Sequence, residues 1–406
     1  MAILTRMYSR LQSTRFMPLL CLILLPLCLS LSSTPAHAEN DSLGDVGRAS
    51  VIEFTLQQAI SRGLISGAVV VVGDHRGVLY ERAVGVAGYT ANAPPLSTAA
   101  VFDVASLTKV FATTPSIVKL LDEGKLSLLD PISRWFPEFE GSEITILNLL
   151  THTSGLHDVG LDRTAPMQSA INRAAAQIGR VAPGSRFLYA DINFILLGEL
   201  VRRISGQPLD RFAHDMFYAP LGMQTAGFTP PPNGRNYAPT LGNGHAALVG
   251  VVQDPNARML GGVAGHAGLF SSVGDLSRFA AMLLGGGQLN GTRVLSSRAV
   301  AQMTAPYFFR NGRVIRGLGW DRESPFSAPK GTIFSELSYG HTGYSGTSVW
   351  IDPDADLYVI LLTNRLDYHR LHSFNKLRSD ISTLAAALFA GHEQRSTYQM
   401  QENTGP

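Results

Sequence analysis

The chain has 406 residues, 45% of them hydrophobic and 16% charged, with 40 Gly, 22 Pro and two Cys. That supplies a large buried core and excludes a disordered protein. The formal net charge of +2, from 33 basic and 31 acidic side chains, leaves no electrostatic footprint for nucleic acid and no polybasic surface for a membrane.

In chain order, Arg6, Arg10 and Arg15 precede an apolar run from Phe16 to Leu31. The triplet Ala36-His37-Ala38 follows. Basic, apolar, then Ala-x-Ala is the pattern of a secretory signal peptide cleaved after Ala38. The run, interrupted by Pro18 and Pro26, is short for a retained transmembrane helix. Residues 1–38 are therefore expected to be a signal peptide. The mature protein is expected in a bacterial periplasm or outside the cell, with no stable membrane span. Cleavage removes three arginines and no acid, so the net charge becomes −1. Cys21 and Cys28 leave with it, which excludes a disulfide, a thiol nucleophile and cysteine-ligated zinc.

Apolar residues at helical spacing predict a helix over 50–63. Gly67 to Gly73 reads as a buried strand, Asp74 to Gly77 as a turn and Val78 to Val86 as a second strand of a hairpin. A helix is expected over 105–123. The stretch 145–300 reads mostly as helix and loop, broken at Pro183-Gly184, Pro230 to Pro232 and Gly285 to Gly287. Strands return at Ser348–Ile351 and Leu357–Leu362 around the turn Asp352-Pro353-Asp354, and a helix is expected over about 371–390. Strands at both ends with a helical middle predict an α/β (α+β) fold. One antiparallel sheet would be built from both termini and flanked by helices, with a mostly helical region of about 110–300 inserted. Residues 39–390 are read as one composite domain and 391–406 as a loose tail.

Three separated elements carry chemistry. The first is Ser106-Leu107-Thr108-Lys109, where a three-residue helical spacing puts an amine beside an alcohol. A serine needs such a neighbour to become a nucleophile. The spacing alone does not choose: four of the five lysines have Ser three residues earlier. Ser106 also fits a plain helix cap. It differs from the others in opening a helix-like run directly after the strand-like Val101 to Val104. The second element is Tyr189-Ala190-Asp191, a phenol able to shuttle protons and a carboxylate able to orient the lysine. A packed aromatic beside a helix cap is the other reading. The third is His341-Thr342-Gly343-Tyr344-Ser345-Gly346-Thr347, where glycines let a ligand approach the backbone. It also reads as a glycine-rich turn.

Taken together and in this order, the three elements resemble the serine β-lactamase and penicillin-binding protein superfamily, in its class C β-lactamase, D-alanyl-D-alanine carboxypeptidase and esterase branch. The run Ile144 to Leu156, the pair Pro183-Gly184 and the run Gly261 to Ser272 strengthen the likeness, which spans roughly residues 50–390. The resemblance implies a β-lactamase/transpeptidase-like fold and an exported serine hydrolase. It implies Ser106 as the acylated nucleophile, Lys109 as its charged or proton-accepting neighbour and Tyr189 as general base, then acid. The backbone N–H groups of Ser106 and Tyr344 would form the oxyanion hole, with Asp191, His341, Thr342 and Gly343 binding substrate or supporting the site. It implies no metal and no cofactor. The substrate would be a small molecule or a peptidoglycan-derived peptide: a D-alanyl peptide, ester or related amide. A class C-like β-lactamase and a non-catalytic peptidoglycan sensor are the alternatives.

Two positions depart from the family pattern. Asp191 stands where Asn is commoner, and a carboxylate only accepts hydrogen bonds. His341 stands where Lys is commoner, which predicts an activity titrating near pH 6–7. Elsewhere, His152 is expected as a hydrogen-bonded core group, and His266 lies in a glycine-rich run for which lining the cleft is the lesser reading. Asp367, His369 and His372 are expected on a solvated face.

Overall fold

The computed structural model describes residues 42–90, 92–229, 236–242, 246–309 and 314–391, with backbone alone for 42–49 and 308–309. The expected signal peptide, and all of the expected tail but Gly391, lie outside the described residues.

Helix α1, Ser42–Ser61, begins earlier than its apolar spacing suggests. It buries Ile52, Leu56 and Ala59. Strands β1 (Ile65–Asp74) and β2 (Gly77–Gly85) form the expected hairpin. Strands β3 (Tyr307–Phe309), β4 (Val314–Arg316), β5 (Asp321–Glu323), β6 (Tyr339–Thr342), β7 (Ser348–Asp352) and β8 (Leu357–Arg365) complete an eight-stranded antiparallel sheet. Its order is β2-β1-β8-β7-β6-β5-β4-β3, so the two ends of the chain meet where β1 pairs β8, Val71 opposite Ile360.

The period of two along β1 and β8 explains the layers. Ala68, Val70 and Val72, with Val359 and Leu361, face one core shared with α1 and with α5, Leu371–Phe389. Val69 and Val71, with Ile360 and Leu362, face the other core. That second core is filled by helices of the central region, including α2 (Thr114–Asp122), α3 (Ile192–Ser205) and α4 (Val273–Leu284). Strands buried on both faces read as continuous apolar runs, as β1 and β8 do.

The centre is mostly helix and loop, as expected. Its strands are two- and three-residue pieces, such as Phe270–Ser272 against Val101–Asp103. The run 105–123 is not one helix. It is a 3₁₀ turn at Ala105–Leu107, a π-helical turn at Lys109–Thr113 and then α2.

Candidate active site

Ser106 sits at the head of that broken helix. The preceding residue, Ala105, has φ +48°, a left-handed conformation that a Cβ-bearing residue adopts only when its surroundings hold it there. The 3₁₀ turn is tied by Thr108 Oγ1 donating to the Ala105 carbonyl at 2.7 Å. Short π-helical turns recur at functional sites, and this one carries Lys109.

Lys109 is fully buried. Its ammonium donates to Ser106 Oγ at 3.0 Å, to Asp191 Oδ1 at 2.8 Å and to the His266 carbonyl at 3.0 Å. Those three contacts use all three ammonium protons. Burial alone would lower the lysine pKa. The charge of Asp191 and the phenol of Tyr189 outweigh it and hold the group above its ordinary value. Reciprocally, burial would raise the Asp191 carboxyl, but Lys109 first and His266 second hold it below its usual range. Lys109 is thus a charged donor to Ser106.

Tyr189 precedes α3 and lines the same cleft as Ser106. Lys109 Nζ lies 5.2 Å from its ring centroid. His152 stacks on the ring, with centroids 4.4 Å apart. Fully buried, as expected of a core group, His152 accepts at Nδ1 from the Ala190 N–H at 3.3 Å. Burial, then the charges of Arg316 and Lys109, hold it well below the usual imidazole pKa. It is a neutral plate behind the phenol.

His341 and Thr342 end β6, and the chain turns through Gly343 to Thr347 into β7. A Cβ on Gly343 would lie 2.1 Å from Thr347 Oγ1 and 2.5 Å from the Val104 carbonyl, so only glycine lets this turn lie against the Ser106 segment. Ser345 Oγ donates to the Asp103 carbonyl at 2.7 Å and Thr347 Oγ1 to the Val104 carbonyl at 3.0 Å. Arg378 of α5, buried, donates to the Gly343 and Thr347 carbonyls at 2.7 and 2.8 Å. Burial pulls its pKa down to about 9. The expected titration of His341 near neutrality does not hold. The ring is 4% exposed and donates at Nδ1 to the Thr342 carbonyl at 2.9 Å. Burial, then Arg316 and Lys109, keep it neutral well below the usual range.

These elements line a cleft of about 680 Å³ that includes Ser106, Tyr189, Asp191, His266, His341 and Tyr344. His266 lines it too, the lesser of its two readings from sequence. Its Nε2 lies 2.9 Å from Asp254 Oδ1. Ligand atoms of Asp191, Asp254 and His266 fall within 4.8 Å of one another. The Lys109 ammonium serves as the cation of that cluster, so it reads as a hydrogen-bonded ion network. His369 and His372 are exposed, and Asp367 pairs with Arg370 at 2.7 Å. Sequence reasoning missed Asp103, Asp254 and Arg378 as parts of this region, and gave Ser345 and Thr347 no role of their own within the third element. Asp103 could have been noticed as an acid three residues before the candidate nucleophile.

Residues 54–379 match the family model Beta-lactamase. A protein of Escherichia coli (strain K12) named putative D-alanyl-D-alanine carboxypeptidase is 29% identical over 368 residues, covering 79% of this chain and 83% of that relative. Among solved structures, EstCE1, described as a hydrolase with promiscuous acyltransferase activity, aligns with TM-score 0.69 and 22% identity over 84% of this chain and 99% of its own. A class C β-lactamase aligns with TM-score 0.70 and 20% identity, over 86% and 98%. At those identities the two structures establish the fold.

Proposed function

Because the chain belongs to the β-lactamase family, we propose that it is an exported serine hydrolase that forms an acyl-enzyme at Ser106 and cleaves a D-alanyl peptide, an ester or a related amide. The observation that carries this reading is the 3.0 Å contact of Ser106 Oγ with a lysine held charged by Asp191. Acting as a phenolate paired with the Lys109 ammonium, Tyr189 takes the Ser106 proton as Ser106 Oγ attacks the substrate carbonyl carbon, which leaves Tyr189 as the neutral phenol. The carbonyl oxygen becomes an oxyanion, met by the N–H groups of Ser106 and Tyr344. As the tetrahedral intermediate collapses, the bond to the leaving group breaks and Tyr189 returns the proton to it. Water then attacks the acyl-enzyme, giving the acid and free Ser106. Thr342 and Gly343 hold the substrate edge-on beside β6.

The carboxypeptidase name of the Escherichia coli relative supports the D-alanyl peptide. A class C-like β-lactamase is the second reading, weakened by Asp191 and by an uncharged His341. Mass spectrometry of the intact protein, mixed in turn with a β-lactam panel, p-nitrophenyl esters and D-alanyl-D-alanine peptides, tests all three. An adduct mapping to Ser106 and lost in Ser106→Ala is expected. Labelling that survives in Ser106→Ala overturns the assignment of the nucleophile.

A further inference from the structure

We propose that Asp103 is a positioning residue: its ionised carboxylate clamps the peptide before Ser106 in the left-handed conformation that aims the nucleophile, and its protonation switches acyl transfer off. The inference rests on the assignment of Ser106 as the acylated residue and adds a device that controls it.

The geometry is a closed set of bonds around three residues. Asp103 is 2% exposed. Its Oδ1 accepts from the Ala105 N–H at 2.8 Å, and its Oδ2 from the Gln253 N–H at 2.7 Å. The Asp103, Val104 and Ala105 carbonyls accept from Ser345, Thr347 and Thr108 respectively. Thr108 Oγ1 in turn accepts from the Leu269 N–H at 3.1 Å. The Asp103 and Val104 carbonyls are thus held from the turn between β6 and β7, and the Ala105 N–H and carbonyl by side chains of the nucleophile segment itself. A conformation unfavourable for alanine, such as φ +48° at Ala105, persists only under that kind of over-determination.

Both carboxylate oxygens accept from N–H donors, and the ionised form accepts both bonds at full strength. A proton on either oxygen makes that oxygen a donor and a weaker acceptor. The bond to one N–H is then weakened in a buried site, and the Ala105 peptide loses part of what keeps it left-handed. Burial makes that protonation accessible: it raises the carboxyl to about 6 against the two N–H bonds. The charged groups facing Asp103 are Asp254, which adds to the rise, and Arg258, which opposes it. The Tyr368 phenol faces it from the segment after β8. Arg258 also anchors the Gln253 carbonyl at 2.7 Å, which fixes the second N–H donor. Lys109 stays charged and His341 stays neutral through this range, so neither supplies an acid limb near pH 6.

The test is the rate of Ser106 acylation by p-nitrophenyl acetate from pH 4.5 to 9, with the adduct located by mass spectrometry. Four proteins are compared: wild type, Asp103→Asn, His341→Gln and the double variant Asp103→Asn with Ala105→Gly. The expected wild-type rate falls about tenfold per pH unit below about pH 6. His341→Gln keeps that limb. Asp103→Asn loses it and is slower at pH 8, by up to about a hundredfold, the effect of misplacing a reacting group by about 1 Å. The loss falls on the acylation rate more than on KM. Adding Ala105→Gly restores part of the rate, because glycine adopts positive φ without the clamp. A limb that survives in Asp103→Asn, or a loss that Ala105→Gly does not relieve, overturns the proposal while leaving Ser106 as nucleophile. Absence of any Ser106 adduct in the wild type at every pH removes the proposed function, and this inference with it.

Discussion

Asp191 is the residue at which this site differs most in charge from the commoner Asn. One of its oxygens holds Lys109, and the side chain is 32% exposed into the cleft. Its carboxyl is held below the usual range, so it meets substrate as an anion. A unit charge about 5 Å from a substrate carboxylate is worth about 3 kcal/mol at an effective dielectric of about 20, and water in the open cleft reduces that. Asp191→Asn keeps an acceptor for Lys109 while removing the repulsion. The variant is expected to raise the ratio of nitrocefin turnover to p-nitrophenyl acetate turnover by about tenfold. Measuring both rates in wild type and variant checks this, and an unchanged ratio means the carboxylate does not face the substrate's anionic group. Ser106, Lys109, Tyr189 and Asp191 were legible as candidates because local spacing and residue chemistry mark them. Asp103 was marked only by its place three residues before Ser106, and Asp254 by nothing local: their partners Gln253 and His266 come close only in the folded chain.

At the scale of elements, the turn from β6 into β7 joins the sheet to the nucleophile. It does so through Gly343, whose missing side chain lets the Val104 carbonyl approach, and through Ser345 and Thr347. Gly343→Ala is expected to push the Val104 carbonyl and Thr347 apart from the turn and to shift the peptide before Ser106. Acylation should fall by about a hundredfold. The unfolding temperature should change modestly, since Arg378 still holds the turn's carbonyls. Gly124→Ala, at the end of α2, is the control. Unlike Gly343 it has positive φ, and its Cβ would meet nothing within 4 Å. It therefore carries the strain of a left-handed alanine without disturbing the site. Equal losses of acylation in both variants would show that a general loss of stability, and not approach to Ser106, is at work. Long elements such as β1 and β8 were readable from their unbroken apolar runs, Ala68 to Val72 and Leu357 to Leu362. Strands β3 to β6 were not, because three or four residues with Arg, Asp and Gly among them show no period. Partners across the sheet, not local pattern, make them strands.

For the molecule as a whole, the buried titratable groups set how the fold responds to acid. His152 and His341 are both held well below the ordinary 6.5, burial being the main cause. The unfolded chain therefore binds two protons below pH 6.5 that the folded chain refuses. Stability supplied by each is present above that value and is lost on acidification at about 1.4 kcal/mol per pH unit. Asp103 acts with the opposite sign. Its folded value of about 6 exceeds the ordinary 3.8, so between those values the folded chain binds a proton that the unfolded chain does not. It offsets one histidine from about pH 6 downward. Asp158 and Asp321, also raised by burial, flatten the curve further at lower pH. Asp191 and Asp254, held low, withdraw their stabilisation only as pH falls through and below the usual carboxylate range. The unfolding temperature should thus be level above pH 7, fall most steeply between about 6.5 and 6, and fall more gently below. In Asp103→Asn the offset is gone, so the steep fall should continue below pH 6. Thermal unfolding followed by circular dichroism from pH 8 to 4.5 reads both curves. Parallel curves for the two proteins would mean that Asp103 does not take up its proton in the folded state near pH 6, and the acid limb of activity would need another source.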